Sequence, residues 1–132
     1  MLKIKNLWLV DDDEIFVFLT RKTILKTHFE GTVSVFTNGK EALDALTPMI
    51  GNPGLLPGII FLDLSMPVMD GWGFLEEFIQ MKHRFLVPIT IYIVSSSVSP
   101  HEIMRAKAMA DVLDFIIKPV SREKFIEIIQ NL

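Results

Sequence analysis

Short apolar blocks recur along the chain, and most of them stop abruptly at a polar residue. The clearest block runs from Ile59 to Leu62, is rich in β-branched and aromatic types, and ends at Asp63. Pro67 and the pair Asp70-Gly71 follow closely, and both are turn formers. A continuous apolar run bounded in this way is typical of a strand buried on both faces of a parallel sheet. We therefore predict a buried strand here, with Asp63 at its carboxyl end.

Four further segments have the composition of strands. They run from Leu7 to Val10, from Thr32 to Phe36, from Ile89 to Val94 and from Leu113 to Ile117. The second of them alternates apolar and polar positions, which predicts a strand with one wetter face near the edge of a sheet. The others are more uniformly apolar, and we expect them further inside the sheet.

The segments between the predicted strands carry apolar residues at helical spacing. We predict a helix that ends near His28, a short helix after Asn38-Gly39, and helices over 71–84, 101–110 and the C-terminal segment. The last has the cleanest pattern, with apolar residues at i, i+3, i+4 and i+7: Phe125, Ile128, Ile129 and Leu132. In the first helix, basic residues stand between the apolar positions, which indicates an amphipathic helix. Its apolar positions are Ile15, Phe18, Leu25 and Phe29.

Five strands that alternate with five helices predict an α/β fold, a doubly wound parallel sheet with helices on both faces. Right-handed crossover connections leave few possible topologies. Because the second strand has the pattern of an edge strand, we favour the strand order 2-1-3-4-5. In that order the first and third strands are neighbours at the point where the winding reverses.

Composition narrows the class of protein further. The 132 residues predict one domain over 1–132, and the net charge of -3 with mixed signs argues against a nucleic-acid surface. Without cysteine, the chain has no disulfide, thiolate metal site or cysteine nucleophile. The longest uncharged stretch, Ala45 to Leu62, contains several prolines and glycines, so it does not form a lipid-exposed helix. We therefore expect a soluble cytoplasmic protein without a membrane segment.

Polar side chains with distinct chemistry follow the central strands of the predicted sheet. Asp11 and Asp12 come directly after the first strand, Asp63 after the third, Ser95 after the fourth and Lys118 after the fifth. Because the carboxyl ends of parallel strands lie at one edge of a sheet, we expect these side chains to converge.

Such a cluster has a definite chemical meaning. Three carboxylates in one crevice repel each other, so a cation is needed to offset their charge. Oxygen ligands without histidine or cysteine suit Mg²⁺. A carboxylate beside Mg²⁺ and a lysine is able to act as a nucleophile toward phosphorus, which gives an aspartyl phosphate. Here Ser95 would donate a hydrogen bond to a phosphoryl oxygen, and Lys118 would pair with its charge.

Each of these residues also has an ordinary structural explanation. The acidic run from Asp11 to Glu14 is typical of a helix N-terminus, where caps and the helix dipole favour carboxylates. The serines from Ser95 to Ser97 would serve in a polar turn, and Lys118 would be solvated. Only their coincidence at the strand ends favours a functional site.

Four ordered motifs resemble the receiver domain of two-component response regulators over essentially the whole chain. They are Val10-Asp11-Asp12-Asp13, the stretch from Leu62 to Gly71, Ile93-Val94-Ser95-Ser96, and the stretch from Asp114 to Pro119. The resemblance implies a flavodoxin-like fold and a phosphorylation-dependent signalling switch that is not a conventional enzyme.

The resemblance also assigns roles to individual residues. It makes Asp63 the phosphoacceptor, with Asp11 and Asp12 holding Mg²⁺ together with Asp63 and the backbone carbonyl of Ser65. Ser95 becomes the switch hydroxyl, Phe115 the switch aromatic and Lys118 the lysine that pairs with the phosphate. The Lys118-Pro119 peptide bond is expected to be cis.

Some positions depart from the family pattern. Asp111 stands before the fifth strand where the family often has glycine, and aspartate tolerates a left-handed conformation better than most residues. Ser95 stands where many members have threonine. Ser65 and Ser97 occupy variable positions that tune the lifetime of the phosphoryl group. The loop from Pro48 to Gly58 is long for the family, and the sequence assigns it no role.

Taken with the resemblance, the chain is expected to be a stand-alone receiver that signals by binding another protein. The phosphoryl group would come from a phosphohistidine on a sensor histidine kinase or a histidine phosphotransfer protein. The downstream protein target would bind the face formed by the fourth helix, fifth strand and fifth helix.

Two other functions remain open at this stage. A Mg²⁺-dependent phosphohydrolase with an aspartyl nucleophile typically has a second acid two residues later, where this chain has Ser65. A nucleotide- or flavin-binding module would need a glycine-rich loop after the first strand, where this chain has acids.

Overall fold

The computed structural model describes residues 4–132, so the first three residues of the predicted domain lie outside the described part. Five parallel strands form one sheet in the order β2-β1-β3-β4-β5, which confirms the predicted topology. The strands are β1 Asn6–Val10, β2 Thr32–Phe36, β3 Ile59–Leu62, β4 Thr90–Ser95 and β5 Val112–Ile117.

Five α-helices connect and follow the strands, as predicted. They are α1 Glu14–Leu25, α2 Gly39–Leu46, α3 Gly71–Met81, α4 Pro100–Lys107 and α5 Arg122–Gln130. Each begins directly after a residue whose side chain accepts a hydrogen bond from a first-turn backbone N–H, and these caps are Asp13, Asn38, Asp70, Ser99 and Ser121. Within residues 4–132, no helix has the length and apolar character that a membrane crossing requires.

Three of the predicted helices end earlier than expected. α1 stops at Leu25 instead of near His28, because His28 adopts a left-handed backbone with φ 61° that no α-helix continues through. α3 stops at Met81, and the three residues after it form a short 3-10 turn, Lys82–Arg84. α4 likewise stops at Lys107 instead of Ala110. All three differences are at helix ends, where sequence patterns locate boundaries least well.

The sheet separates two hydrophobic clusters. One packs under α2, α3 and α4, and the other under α1 and α5. Residues of β3 point alternately to each side: Ile60 and Leu62 belong to the first cluster, Ile59 and Phe61 to the second. This strand is therefore buried on both faces, as its continuous apolar pattern predicted.

The prediction for the packing side of α1 was wrong. Ile15, Phe18 and Leu25 are 74%, 58% and 82% exposed, whereas Thr20 and Ile24 are buried against the sheet. Apolar residues lie on both sides of this helix, so periodicity alone selected the wrong one. The position of the sheet decides which side is covered.

Local contacts hold the two features that the sequence left unexplained, the loop from Pro48 to Gly58 and Asp111. In the loop from Pro48 to Gly58, Leu56 is buried in the core and the Asn6 side chain donates to the backbone carbonyls at 54–56. Asp111 does not use a left-handed backbone: among residues 4–132, positive φ angles occur at His28, Gly51 and Val68. Its carboxylate instead lies 2.9 Å from Lys82 Nζ.

Candidate functional site

The carboxyl ends of four strands bring the predicted site residues to one edge of the sheet. Backbone hydrogen bonds fix their positions: the Asp63 N–H donates to the Val10 carbonyl at 2.9 Å, and the Lys118 N–H donates to the Ser95 carbonyl at 2.8 Å. The Asp11 N–H donates to the Phe36 carbonyl of β2 at 2.9 Å. The sheet itself thus sets the spacing of these side chains.

The side chain of Lys118 lies among the carboxylates. Its Nζ is 2.9 Å from Asp11 Oδ2, 3.8 Å from Asp63 Oδ1 and 3.9 Å from Asp13 Oδ2. Nζ also lies 4.4 Å from the centroid of the Phe16 ring, a distance suited to a cation–π contact. Only 14% of the lysine side chain is exposed, so the ammonium is held by these neighbours rather than by water.

Phe16 was not identified from the sequence. It lies off the apolar side that periodicity selected for α1, and it packs against the α1–α5 side of the core beside Phe125, with the two ring centroids 5.9 Å apart. The face of its ring lies against the Lys118 ammonium. No sequence pattern distinguishes it from its neighbours Val17 and Phe18.

Three carboxylates form the acidic cluster. Asp11, Asp12 and Asp63 each offer one oxygen, and these atoms lie within 4.8 Å of one another. Asp11 and Asp63 are buried, whereas Asp12 is exposed at the mouth. The set of hard oxygen atoms fits a divalent cation such as Mg²⁺.

One buried oxygen of this cluster lacks a properly directed hydrogen bond. Asp11 Oδ1 accepts from the Asp13 backbone N–H at 2.9 Å, but Asp11 Oδ2 has no hydrogen bond of suitable geometry from residues 4–132. The nearby Lys118 ammonium provides charge at this oxygen rather than an aligned donor. A buried lone pair left free in this way is available to a metal ion.

The carboxylates are poorly stabilised in their charged form. Burial, and after it the charge of Asp11, raises the pKa of Asp63 to about 6, while Lys118 and the Ser65 backbone N–H act in the opposite direction. Burial also raises the pKa of Asp11. Near neutral pH, Asp63 is therefore ionised but under electrostatic strain that a cation would relieve.

The remaining predicted residues, Ser95, Ser65 and Phe115, differ in how deeply they are buried. Ser95 is buried at the end of β4, and its Oγ accepts a hydrogen bond from the Ser97 backbone N–H at 3.1 Å. Ser65 is exposed in the loop after Asp63. Phe115 on β5 is half-buried and packs against the hydrophobic cluster under α2, α3 and α4. The predicted roles of the Ser65 carbonyl and the Phe115 ring stay predictions.

The loops at this edge are tightly built. A Cβ atom at Gly71 would collide with the Asp63 carbonyl oxygen and with Leu64, so only glycine allows α3 to begin this close to Asp63. The Gly71 N–H donates to the Leu64 carbonyl at 3.0 Å, and the Asp70 carboxylate caps the helix at Gly73 N. The Lys118-Pro119 peptide bond is cis, as the resemblance implied.

Comparison with known proteins gives the family. The model of the response regulator receiver domain matches residues 7–130. The chain is 29% identical over 115 residues to the probable methanogenesis regulatory protein FilR2 of Methanothrix harundinacea, an alignment that covers 87% of this chain and 72% of that protein. It is 25% identical over 128 residues to the chemotaxis protein CheY of Thermotoga maritima, and covers 97% of both.

A solved structure gives the same answer at the level of the fold. The two-component response regulator from Cytophaga hutchinsonii superposes with a TM-score of 0.82 at 28% identity, covering 99% of this chain and 100% of the other. With the family model matching nearly the whole chain and the acidic edge built as described, the chain belongs to the response regulator receiver domain family of two-component signalling.

Proposed function

We propose that this receiver domain takes a phosphoryl group onto Asp63 from a phosphohistidine, and that Asp11 and Asp12 hold Mg²⁺ beside it. One observation carries this proposal: a buried carboxylate at the mouth of β3 has the Lys118 ammonium 3.8 Å away and two further carboxylates around it. A carboxylate so placed is a poorly solvated nucleophile, and the ammonium beside it is able to stabilise the charge of the product.

The transfer follows from the positions of these groups. An ionised Oδ atom of Asp63 attacks the phosphorus atom, a new O–P bond forms, and the N–P bond of the phosphohistidine breaks so that its electron pair returns to the imidazole. With a pKa of about 6, Asp63 is mostly ionised at neutral pH and needs no separate base. Mg²⁺, when bound, neutralises charge that develops on the phosphoryl oxygens.

Lys118 is suited to stabilise the product. It now pairs most closely with Asp11, at 2.9 Å, and less closely with Asp63, at 3.8 Å. A phosphorylated Asp63 would carry about two negative charges and three acceptor oxygens, so the ammonium would be drawn toward it. The short distance means that this change requires a rotation of the lysine side chain and no movement of the sheet.

The exposed apolar surface supports the predicted site for the downstream target. Met104 on α4 is 71% exposed, and Leu113 and Ile117 on β5 are 65% and 43% exposed. These residues lie on the face formed by α4, β5 and α5. We infer that a protein target binds there, and that the partners supplying phosphate are a histidine kinase or a histidine phosphotransfer protein. The cytoplasmic location stays a prediction.

The alternative functions are not favoured. The match to the receiver family over residues 7–130 and the placement of Ser65, rather than an acid, two residues after Asp63 both argue against a phosphohydrolase. The acidic residues after β1 argue against a bound nucleotide or flavin phosphate, because carboxylates repel phosphate.

Phosphorylation is tested directly with a small donor. Incubation with Mg²⁺ and acetyl phosphate is expected to add a single, labile phosphoryl group, which mass spectrometry of the digested protein places on the peptide that contains Asp63. Asp44→Asn, which changes an exposed carboxylate on α2, serves as the control and should be modified like the wild type. Modification at another residue of the wild-type protein would refute the assignment.

The relay through Ser95 gives a second prediction. The Ser95 hydroxyl is buried and, within residues 4–132, accepts a hydrogen bond without donating one, so its hydrogen is available to a phosphoryl oxygen. Ser95→Ala should therefore still accept phosphate on Asp63 but transmit the change weakly to the target face. Amide chemical shifts of Met104, Phe115 and Arg122, measured by NMR before and after phosphorylation, report this. Full wild-type shifts in Ser95→Ala would exclude the hydroxyl as the relay.

A further inference from the structure

A glutamate on α4 joins three separate parts of the structure. Glu102 Oε1 accepts a hydrogen bond from the Ser97 hydroxyl at 2.5 Å, and Glu102 Oε2 accepts one from the Trp72 indole N–H at 3.0 Å. Ser97 belongs to the segment between β4 and α4, and Trp72 to the first turn of α3. We call these two hydrogen bonds the Glu102 clamp.

The clamp is connected to the switch hydroxyl through Ser97. The Ser97 backbone N–H donates to Ser95 Oγ at 3.1 Å, while the Ser97 hydroxyl donates to Glu102. The Ser99 backbone N–H also donates to Ser97 Oγ, at 3.2 Å. Ser95 Oγ is therefore bonded to a residue whose own side chain is fixed to α3 and α4.

The side of the clamp formed by α3 is rigidly held. Phe74 and Leu75 of this helix are fully buried, and the Arg105 guanidinium lies 4.1 Å from the centroid of the Trp72 ring. The Ser97 hydroxyl and then the Trp72 indole hold the pKa of Glu102 below its usual range. The Glu102 carboxylate is therefore charged when it accepts these two hydrogen bonds, and such bonds are stronger than those between neutral groups.

We propose that Glu102 is a positioning residue of the switch, which holds Ser97 and through it Ser95 in the arrangement of the unphosphorylated protein. The proposal rests on the proposed function of Asp63 and Ser95. For Ser95 Oγ to turn toward a phosphoryl group, it must leave the Ser97 N–H or draw Ser97 away from Glu102. Both routes cost a hydrogen bond, so the clamp sets how readily the site accepts a phosphoryl group.

The test measures binding of a noncovalent phosphoryl analogue. Beryllium trifluoride with Mg²⁺ is titrated into the wild type, Glu102→Gln and Trp72→Phe, with calorimetry as the readout. Because a weakened clamp raises the fraction of protein ready to bind, both variants are expected to bind the analogue about three- to tenfold more tightly. Impaired folding alone would weaken binding, so a gain in affinity is not produced by structural damage.

The controls separate the clamp from general effects of charge. Glu77→Gln removes an exposed carboxylate from α3 that makes no hydrogen bond or ion pair within residues 4–132, and its affinity should equal that of the wild type. Trp72→Phe changes no charge, yet it should match Glu102→Gln. Combining the two substitutions should add nothing further, because both break the same connection.

The outcomes distinguish the clamp from the function on which it rests. Unchanged or weaker binding by both Glu102→Gln and Trp72→Phe, with the wild type binding normally, would overturn the clamp. So would a gain of equal size in Glu77→Gln. Failure of the wild type to bind the analogue, or equal binding by Asp63→Asn, would instead overturn the proposed site at Asp63.

Discussion

Asp63→Asn is expected to raise the free energy of unfolding of the metal-free protein by about 3 kcal/mol at neutral pH. The folded state raises the pKa of Asp63 from 3.8 to about 6, chiefly through burial and then through the charge of Asp11. A folded protein that holds a proton more tightly than the unfolded chain loses stability as pH rises between these two values. Asparagine has no proton to lose, so the variant avoids this loss.

The pH dependence identifies the cause. The stability difference between Asp63→Asn and the wild type should be fully present above about pH 6 and should disappear below about pH 4. Urea unfolding in the presence of a chelator, followed across this range, measures it, with Glu77→Gln as the control for loss of an exposed carboxylate. A stability difference that stays constant with pH would show that the charge of Asp63 does not destabilise the folded protein. The same variant should take up no phosphoryl group.

Mg²⁺ is expected to reverse the same electrostatic penalty in the wild-type protein. A ligand that binds only the folded state stabilises it by about 2.7 kcal/mol at a concentration of about 100 times its Kd. The melting temperature should therefore rise steadily with Mg²⁺ concentration. Asp12→Ala should abolish this rise, because it removes one of the three clustered carboxylates, and it should raise the stability of the metal-free protein by relieving repulsion of Asp63.

Two controls make the metal test specific. NaCl at matched ionic strength accounts for simple screening, which acts on every exposed charge. Asp44→Asn changes an exposed carboxylate that pairs with Lys40 on α2, and it should respond to Mg²⁺ like the wild type. If Asp12→Ala also retained the wild-type response, Asp12 would not be a ligand.

The sheet and the convergence at its edge were predictable because each depends on local features. Continuous apolar runs mark strands such as Ile59–Leu62, and parallel strands necessarily bring the residues after them to one edge. Asp11, Asp12, Asp63 and Lys118 therefore meet as expected, and Ser95 lies at the end of β4 with its backbone carbonyl hydrogen-bonded to the Lys118 N–H. That outcome needed only the order of strands, not the detail of any side chain.

Other features depend on contacts that no local pattern specifies. The sheet decides which side of α1 is buried, because the helix has apolar residues on both sides. The position of Phe16 over Lys118 follows from that choice. The contact of Trp72 with Glu102 joins residues 30 positions apart, and it depends on where two helices begin. Phe16 does not stand out in the sequence from Val17 and Phe18 beside it.

The capped starts of the helices have an electrical consequence for the site. In a parallel α/β fold the helices run back against the strands, so all five helices begin at the edge where the strands end. Each helix N-terminus carries about half a positive charge from its aligned peptide dipoles. These partial charges lie at the same edge of the sheet as the carboxylates and persist without any bound cation. An anionic phosphodonor thus approaches an edge that is less negative than its three aspartates suggest.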